Sequence, residues 1–406
     1  MDAPVLAGRA DDREVVRSPV AASLRIPRAD GSTMTFTLRP AREWRTPTAP
    51  FRSRMAFAAA HVVCDPFADV DVLGDSRIDW DATLAYRRHL WSLGFAVAEA
   101  MDTAQRGGGL TWPAAQQLIA RSVAEARATG GIVACGAGTD HLAPAPGVSL
   151  ATVRHAYEDQ VGCVESVGGR VILMASRALV RAAHSADDYR DVYGAILRQV
   201  RTPVILHWLG DMFDPALEGY WGTSDLDEAM DVCLDIISAN REKVDGIKIS
   251  LLDAQREIDM RRQLPAGVRM YTGDDFNYAE LIRGDESGHS DALLGILDAI
   301  APAASDALQA LDAGDMDRYQ TALEPTVPLS RHIFRAPTHA YKTGIVFLAW
   351  LNGHQRHFRM LGGAESARSV VHLADLLVLA DEAGLIRDPE LAAARARSFF
   401  AVAGVA

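Results

Sequence analysis

Between residues 51 and 300, short apolar runs alternate with longer amphipathic stretches. That rhythm predicts βα units around a parallel sheet, because strands buried on both faces read as continuous apolar runs. Eight runs read as strands, at 55–63, 95–101, 131–135, 170–175, 203–209, 245–250, 268–272 and 290–295. Eight favour closure into an α/β (β/α)8 TIM barrel over an open sheet. Helices are predicted between them at 80–93, 113–128, 150–167, 186–199 and 224–241, several opened by a Ser, Thr or Asp in capping position.

The two ends read differently. Ser23-Leu-Arg-Ile-Pro27 and Thr33-Met-Thr-Phe-Thr-Leu38 alternate on either side of Ala29-Asp-Gly-Ser32, which predicts a β-hairpin. Residues 1–20 read as an unstructured arm. After residue 300 the strand signals stop, and 303–313, 316–334, 340–351 and 366–383 read as helices. The expected division is an arm and hairpin over 1–50, the barrel over 51–300 and a helical extension over 301–406.

Charge narrows the partners. Asp plus Glu number 53 against 41 Lys plus Arg, a formal charge of −12. A body of that sign repels phosphate backbones and anionic headgroups, so neither nucleic acid nor membrane is expected. No run approaches the roughly 18 to 20 apolar residues of a spanning helix, and the polar, acidic start does not resemble a signal peptide. A cytoplasmic protein is the expectation. Cys64, Cys135, Cys163 and Cys233 lie far apart and read as buried free thiols, without the spacing of a zinc site.

Lysine is scarce, occurring only at Lys243, Lys248 and Lys342. In Val244-Asp-Gly-Ile-Lys-Ile-Ser250, period-2 alternation puts Ile247 and Ile249 on one face and Gly246, Lys248 and Ser250 on the other. If the isoleucines pack against helices, Lys248 points into the barrel. A buried ammonium is costly, so its pKa falls toward a nucleophilic amine suited to Schiff-base formation with a ketone or aldehyde. The alternative is a strand-end lysine paired with Asp274 or Asp275.

Gly246-Ile-Lys-Ile-Ser250 resembles the Schiff-base strand of the dihydrodipicolinate synthase and N-acetylneuraminate lyase superfamily of class I aldolases. Flanking segments fall in the same order. Pro203-Val-Ile-Leu-His207 is similar to the preceding strand, and Tyr271-Thr-Gly-Asp-Asp275 to the Gly-Asp-Asp strand end that follows. Gly131-Ile-Val-Ala-Cys-Gly-Ala-Gly-Thr139 is similar to the third strand with its glycine-rich end. Ala310-Leu-Asp-Ala-Gly-Asp-Met-Asp317 and residues 337–351 resemble the C-terminal helices, so the resemblance spans roughly residues 50 to 350.

The resemblance implies covalent lysine catalysis without a cofactor, a small carbonyl substrate and a homodimer or homotetramer. It breaks in two places. Where typical members bind a keto-acid carboxylate through a Gly-Thr-Thr-Gly-Glu loop, this chain has Glu99-Ala-Met-Asp-Thr-Ala-Gln-Arg-Gly-Gly-Gly109. Asp102 there, with Glu99, would repel pyruvate unless Arg106 folds inward. The family's proton-relaying tyrosine after the fourth strand is replaced by Ser176 and Arg177.

The expected roles are therefore Lys248 as nucleophile and His207 as proton shuttle, since imidazole titrates near neutral pH. Asp102, Ser176, Arg177, Asp274 and Asp275 would orient substrate, and Gly138 and Thr139 would offer donors to an anion or carbonyl oxygen. A keto sugar, deoxy sugar or sugar acid suits this lining. Two alternatives stay open. One is a TIM-barrel sugar isomerase or epimerase using a divalent metal held by His61, Glu99, His207 and Asp274; the other is a non-catalytic barrel that binds sugar acids. Tyr341-Lys342 in the helical extension has no assigned place from sequence.

Overall fold

A computed structural model describes residues 22–71, 73–142 and 147–405; the predicted arm at 1–20 lies outside these. The hairpin forms as expected, β1 (Ser23–Pro27) pairing antiparallel with β2 (Thr33–Thr37) across a turn in which Asp30 accepts from the Ser32 amide. Eight parallel strands then close a barrel: β3 (Ala56–Ala59), β4 (Ala96–Glu99), β5 (Val133–Ala137), β6 (Arg170–Leu173), β7 (Val204–Leu209), β8 (Val244–Ser250), β9 (Arg269–Thr272) and β10 (Asp291–Leu294). The chain is thus an α/β protein with the (β/α)8 TIM-barrel architecture.

Around the barrel run α1 (Trp80–Ser92), α2 (Trp112–Thr129), α3 (Leu150–Ser166), α4 (Arg177–Ala182), α5 (Ala186–Gln199), α6 (Leu226–Ala239), α7 (Ala254–Gln263), α8 (Tyr278–Arg283) and α9 (Ile296–Ala299). Side chains at their N-termini set several of these starts: Asp79, Ser149, Ser176, Asp225 and Asp253 each accept a first-turn amide. Inside the barrel, Phe57, Ile172, Ile205, Tyr271 and Leu293 pack among Ala59, Ala96, Ala98 and Ala134. The small residues of β3 to β5 leave room for Phe57 and Tyr271, whose rings meet edge to face at 5.9 Å.

Six further helices follow: α10 (Ala301–Asp312), α11 (Met316–Leu323), α12 (Val327–Ile333), α13 (Tyr341–Leu351), α14 (Val370–Glu382) and α15 (Pro389–Val402). The single helix expected over 316–334 is broken by a 3-10 turn at Glu324–Thr326. Pro325 and Pro328, which lack backbone donors, account for the break. Every residue of α13 is buried. Its Ile345, Phe347, Leu348 and Leu351 each contribute about 1.5–3 kcal/mol of burial, so this layer is continuous with the barrel core. The hairpin joins it too, Arg397 donating to the Ser23 carbonyl.

One buried acid gives the stability a pH dependence. Glu257 on α7 accepts from Ser290 Oγ at 2.7 Å while its second oxygen has no partner among the described residues. Burial pushes this carboxyl up from 4.5 to about 8. Between those values the unfolded chain is ionised and the folded one protonated, so stability falls as pH rises through the window and levels off above it. Glu257→Gln lacks that loss and is expected to gain a few kcal/mol on the wild type between about pH 5 and pH 8. Urea unfolding at the two pH values measures it; an equal difference at both would contradict it.

Candidate active site

Strand parity delivers Lys248 to the barrel mouth. Ile247 and Ile249 are buried in the outer core with the helices, while Gly246, Lys248 and Ser250 take the opposite face beside Ile205 and His207 of β7. Lys248 is 8% exposed, and no hydrogen bond or ion pair holds its Nζ among the described residues. The lysine stem passes close to β9: a Cβ at position 273 would come 2.8 Å from Lys248 Cε, so glycine there leaves the stem its path.

Three carboxyl and imidazole groups set the electrostatics around that amine. Burial lowers the Lys248 pKa, opposed by the charges of Asp275 and Asp102. The same burial raises the Asp275 carboxyl to about 7, against the pull of Lys248 and of the Ile296 amide that donates to it at 2.9 Å. His207 lies directly across the β7–β8 pair from Lys248, with its Nε2 3.3 Å from Ser250 Oγ. Burial, reinforced by the Lys248 charge, holds this imidazole well below its ordinary value, which makes it a neutral acceptor near pH 7.

Beside these groups a cavity of about 660 Å³ opens at the C-terminal ends of the strands. Asp102, Gly138, Thr139, Ser176, Arg177 and His207 line it, whereas Lys248 and Asp275 lie behind its wall. Its charges are paired. Arg177 donates from Nε to Asp214 at 2.5 Å, and Arg106, folded inward, bonds Asp140, Gln160 and the Ala100 and Gly136 carbonyls. Thr139 and Ser176 hydroxyls share a hydrogen bond of 2.5 Å, and Ser176 also caps α4.

The helical extension completes the site and gives Tyr341-Lys342 a place. Lys342 at the start of α13 lies 3.0 Å from Asp102 and also donates to the His339 carbonyl. Its amine is therefore tied down, whereas that of Lys248 is not. Neighbouring Tyr341 bonds Thr103 at 2.7 Å and stacks on Phe334 at 4.3 Å. The repulsion that Asp102 was expected to exert on an anionic substrate is thus offset by a lysine contributed from far along the chain.

Several expected positions sit elsewhere. Asp274 does not line the cavity; its oxygens accept from the Phe276 and Asn277 amides and from the Asn277 side chain, shaping the turn after β9. The Gly138 amide is already engaged by Gln160 at 2.7 Å, so it is no donor for a substrate oxygen. Glu99 faces away from the barrel bore, where Arg87 and Ser122 hold it at 2.6–2.9 Å. His61 bonds Asp298 and Gln355. His61, Glu99, His207 and Asp274 therefore do not converge, and no cluster of three or more His, Cys, Asp or Glu suited to a metal occurs among the described residues.

Comparison with known proteins agrees with this architecture. The fold is that of dihydrodipicolinate synthases. The enzyme from Aquifex aeolicus is 13% identical with a TM-score of 0.62 over 82% of this chain and 99% of its own. A synthase from Bacillus anthracis is 17% identical with a TM-score of 0.59 over 81% and 98%. One from Acinetobacter baumannii, solved with pyruvate, is 15% identical with a TM-score of 0.59 over 82% and 100%. At these identities the likeness is one of fold. No curated protein matches the chain in sequence. The family described as "Protein of unknown function (DUF993)" matches residues 24–405, and the chain belongs to it.

Proposed function

We propose that the protein is a Schiff-base-forming lyase of the class I aldolase type, acting on a small carbonyl compound. The observation that carries the reading is Lys248: an amine buried at the mouth of a barrel of this fold, unheld by hydrogen bonds and with its pKa lowered by burial. The neutral amine adds to the carbonyl carbon, and loss of water leaves an imine. That imine withdraws electrons while a carbon–carbon or carbon–oxygen bond breaks. Asp275, raised to about 7, exchanges a proton beside the nitrogen, while His207, whose protonation burial disfavours, serves as a neutral hydrogen-bond acceptor rather than as the near-neutral shuttle its residue type suggests. No metal or organic cofactor enters this scheme.

The substrate class follows from the lining. The cavity is larger than a three-carbon keto acid needs and is walled by ion-paired carboxylates and guanidinium groups with the Thr139 and Ser176 hydroxyls. Such a wall accepts from and donates to several hydroxyls, which favours a keto sugar, deoxy sugar or sugar acid. A cytoplasmic homodimer or homotetramer belongs to the same reading.

Incubating the protein with carbonyl compounds, reducing with borohydride and weighing it intact tests the class. Polyhydroxylated ketones or keto acids are expected to leave a covalent mass gain at lower concentration than pyruvate. Tighter and more productive capture of pyruvate would overturn the substrate assignment while leaving the lysine chemistry standing. No gain with any carbonyl would favour the non-catalytic, sugar-acid-binding barrel.

A further inference from the structure

In an acidic chain, basic groups without carboxylate partners stand out, and four of them surround a second cavity. This cleft of about 190 Å³ lies between the segment after the hairpin, α1 and the helical extension, and shares no lining residue with the substrate cavity. Arg42, His89, His354 and Arg387 line it. The Arg42 guanidinium lies 3.9 Å over the Trp44 ring, whose Nε1 is fixed by the Gly384 carbonyl at 3.1 Å. Among the described residues, neither guanidinium group makes an ion pair or a hydrogen bond.

The two imidazoles are equally unattached. His89 and His354 rings lie 4.5 Å apart, and neither side chain has a hydrogen-bond partner among the described residues. The one carboxylate at the cleft, Asp298, is already committed: His61 donates to it from the main-chain amide at 2.7 Å, and its Nδ1 lies 2.8 Å away. Burial and the Arg387 charge lower the pKa of both His89 and His354, so the resident groups disfavour one another's protonation. An anion reverses that repulsion, and guanidinium forks match the geometry of its oxygens.

We propose that this cleft binds a small oxyanion, a compound bearing a phosphate or carboxylate group, clamped by Arg42 and Arg387 with His89 and His354 as further donors. The apolar floor of Trp44, Pro302 and Leu385 takes the body that carries the charged group. Through Asp298 the site touches α9, the helix whose first amide holds Asp275. The assignment does not depend on the lyase reading.

Inorganic phosphate and, separately, succinate are titrated into the full chain, following the histidine imidazole resonances by NMR and the heat by calorimetry. Saturable binding is expected, with movement at His89 and His354 but not at His207. The double variant Arg42→Gln, Arg387→Gln is expected to weaken binding at least tenfold with an unchanged thermal midpoint, both arginines being exposed. The anion that binds more tightly identifies the charged group as phosphate or carboxylate. Silence at His89 and His354 with both anions, movement confined to His207, or undiminished affinity in the double variant would overturn the proposal. The wild-type resonances decide the question even if the variant folds poorly.

Discussion

Replacing Lys248 by Met is expected to lower turnover of any carbonyl substrate by about 10³-fold or more while leaving the thermal midpoint equal to or above that of the wild type. The two effects have one cause. A nucleophile that forms a covalent intermediate has no substitute in a thioether, so the chemical step is lost. The ammonium, however, is buried without a hydrogen-bonded partner, a placement that costs stability, and an apolar chain of similar length removes the cost. Asp275, whose carboxyl already titrates near 7, can take up a proton when its neighbour leaves. Activity assay and calorimetry on the same preparation check both halves. A large drop in the midpoint would mean that Lys248 is a structural ion-pair partner, the alternative that the strand pattern leaves open.

Asp275→Asn separates amine activation from proton transfer. The carboxylate favours the Lys248 ammonium and opposes burial. Its removal leaves burial opposed by the Asp102 charge alone, so the Lys248 pKa falls further and more of the amine is neutral at a given pH. The acid limb of the pH profile for borohydride trapping is therefore expected to move to lower pH. Turnover falls by about 10²–10⁴-fold, because a group exchanging protons near neutrality is gone. Asn retains an oxygen for the Ile296 amide, so the turn after β10 is kept. An acid limb that stays put or moves to higher pH would show that Asp275 does not govern the lysine.

The barrel is legible in sequence because local signals agree with the fold. The runs at 203–209 and 245–250 are short, apolar and bounded by turn residues, and β7 and β8 occupy nearly those positions. Alternation within β8 suffices to aim Lys248. The same parity, applied to β4, turns Glu99 outward once Ala96 and Ala98 face the bore, so a metal-ligating Glu99 conflicts with its own strand. The helices expected after residue 300 stop at 383, yet α15 carries local signals of its own in the Asp388 cap and the alanine-rich run behind it.

Other features lie beyond any local pattern. The Lys342–Asp102 pair joins positions on β4's loop and α13 that only the packed helical layer brings together. Asp274 and Asp275 are chemically identical in sequence, yet one shapes a turn and the other faces Lys248, a division made by backbone direction after β9. The same holds for the cleft between Arg42 and Arg387, whose walls come from both ends of the chain.

Where the reduced adduct sits decides whether Lys248 is the nucleophile. With only three lysines in the chain, proteolysis and mass spectrometry of the borohydride-treated protein leave little ambiguity. Modification of Lys248 alone is expected, with Lys342 held by Asp102 and Lys243 donating to the Val200 carbonyl both untouched. An adduct on Lys342 or on the terminal amine, with Lys248 unmodified, would contradict it.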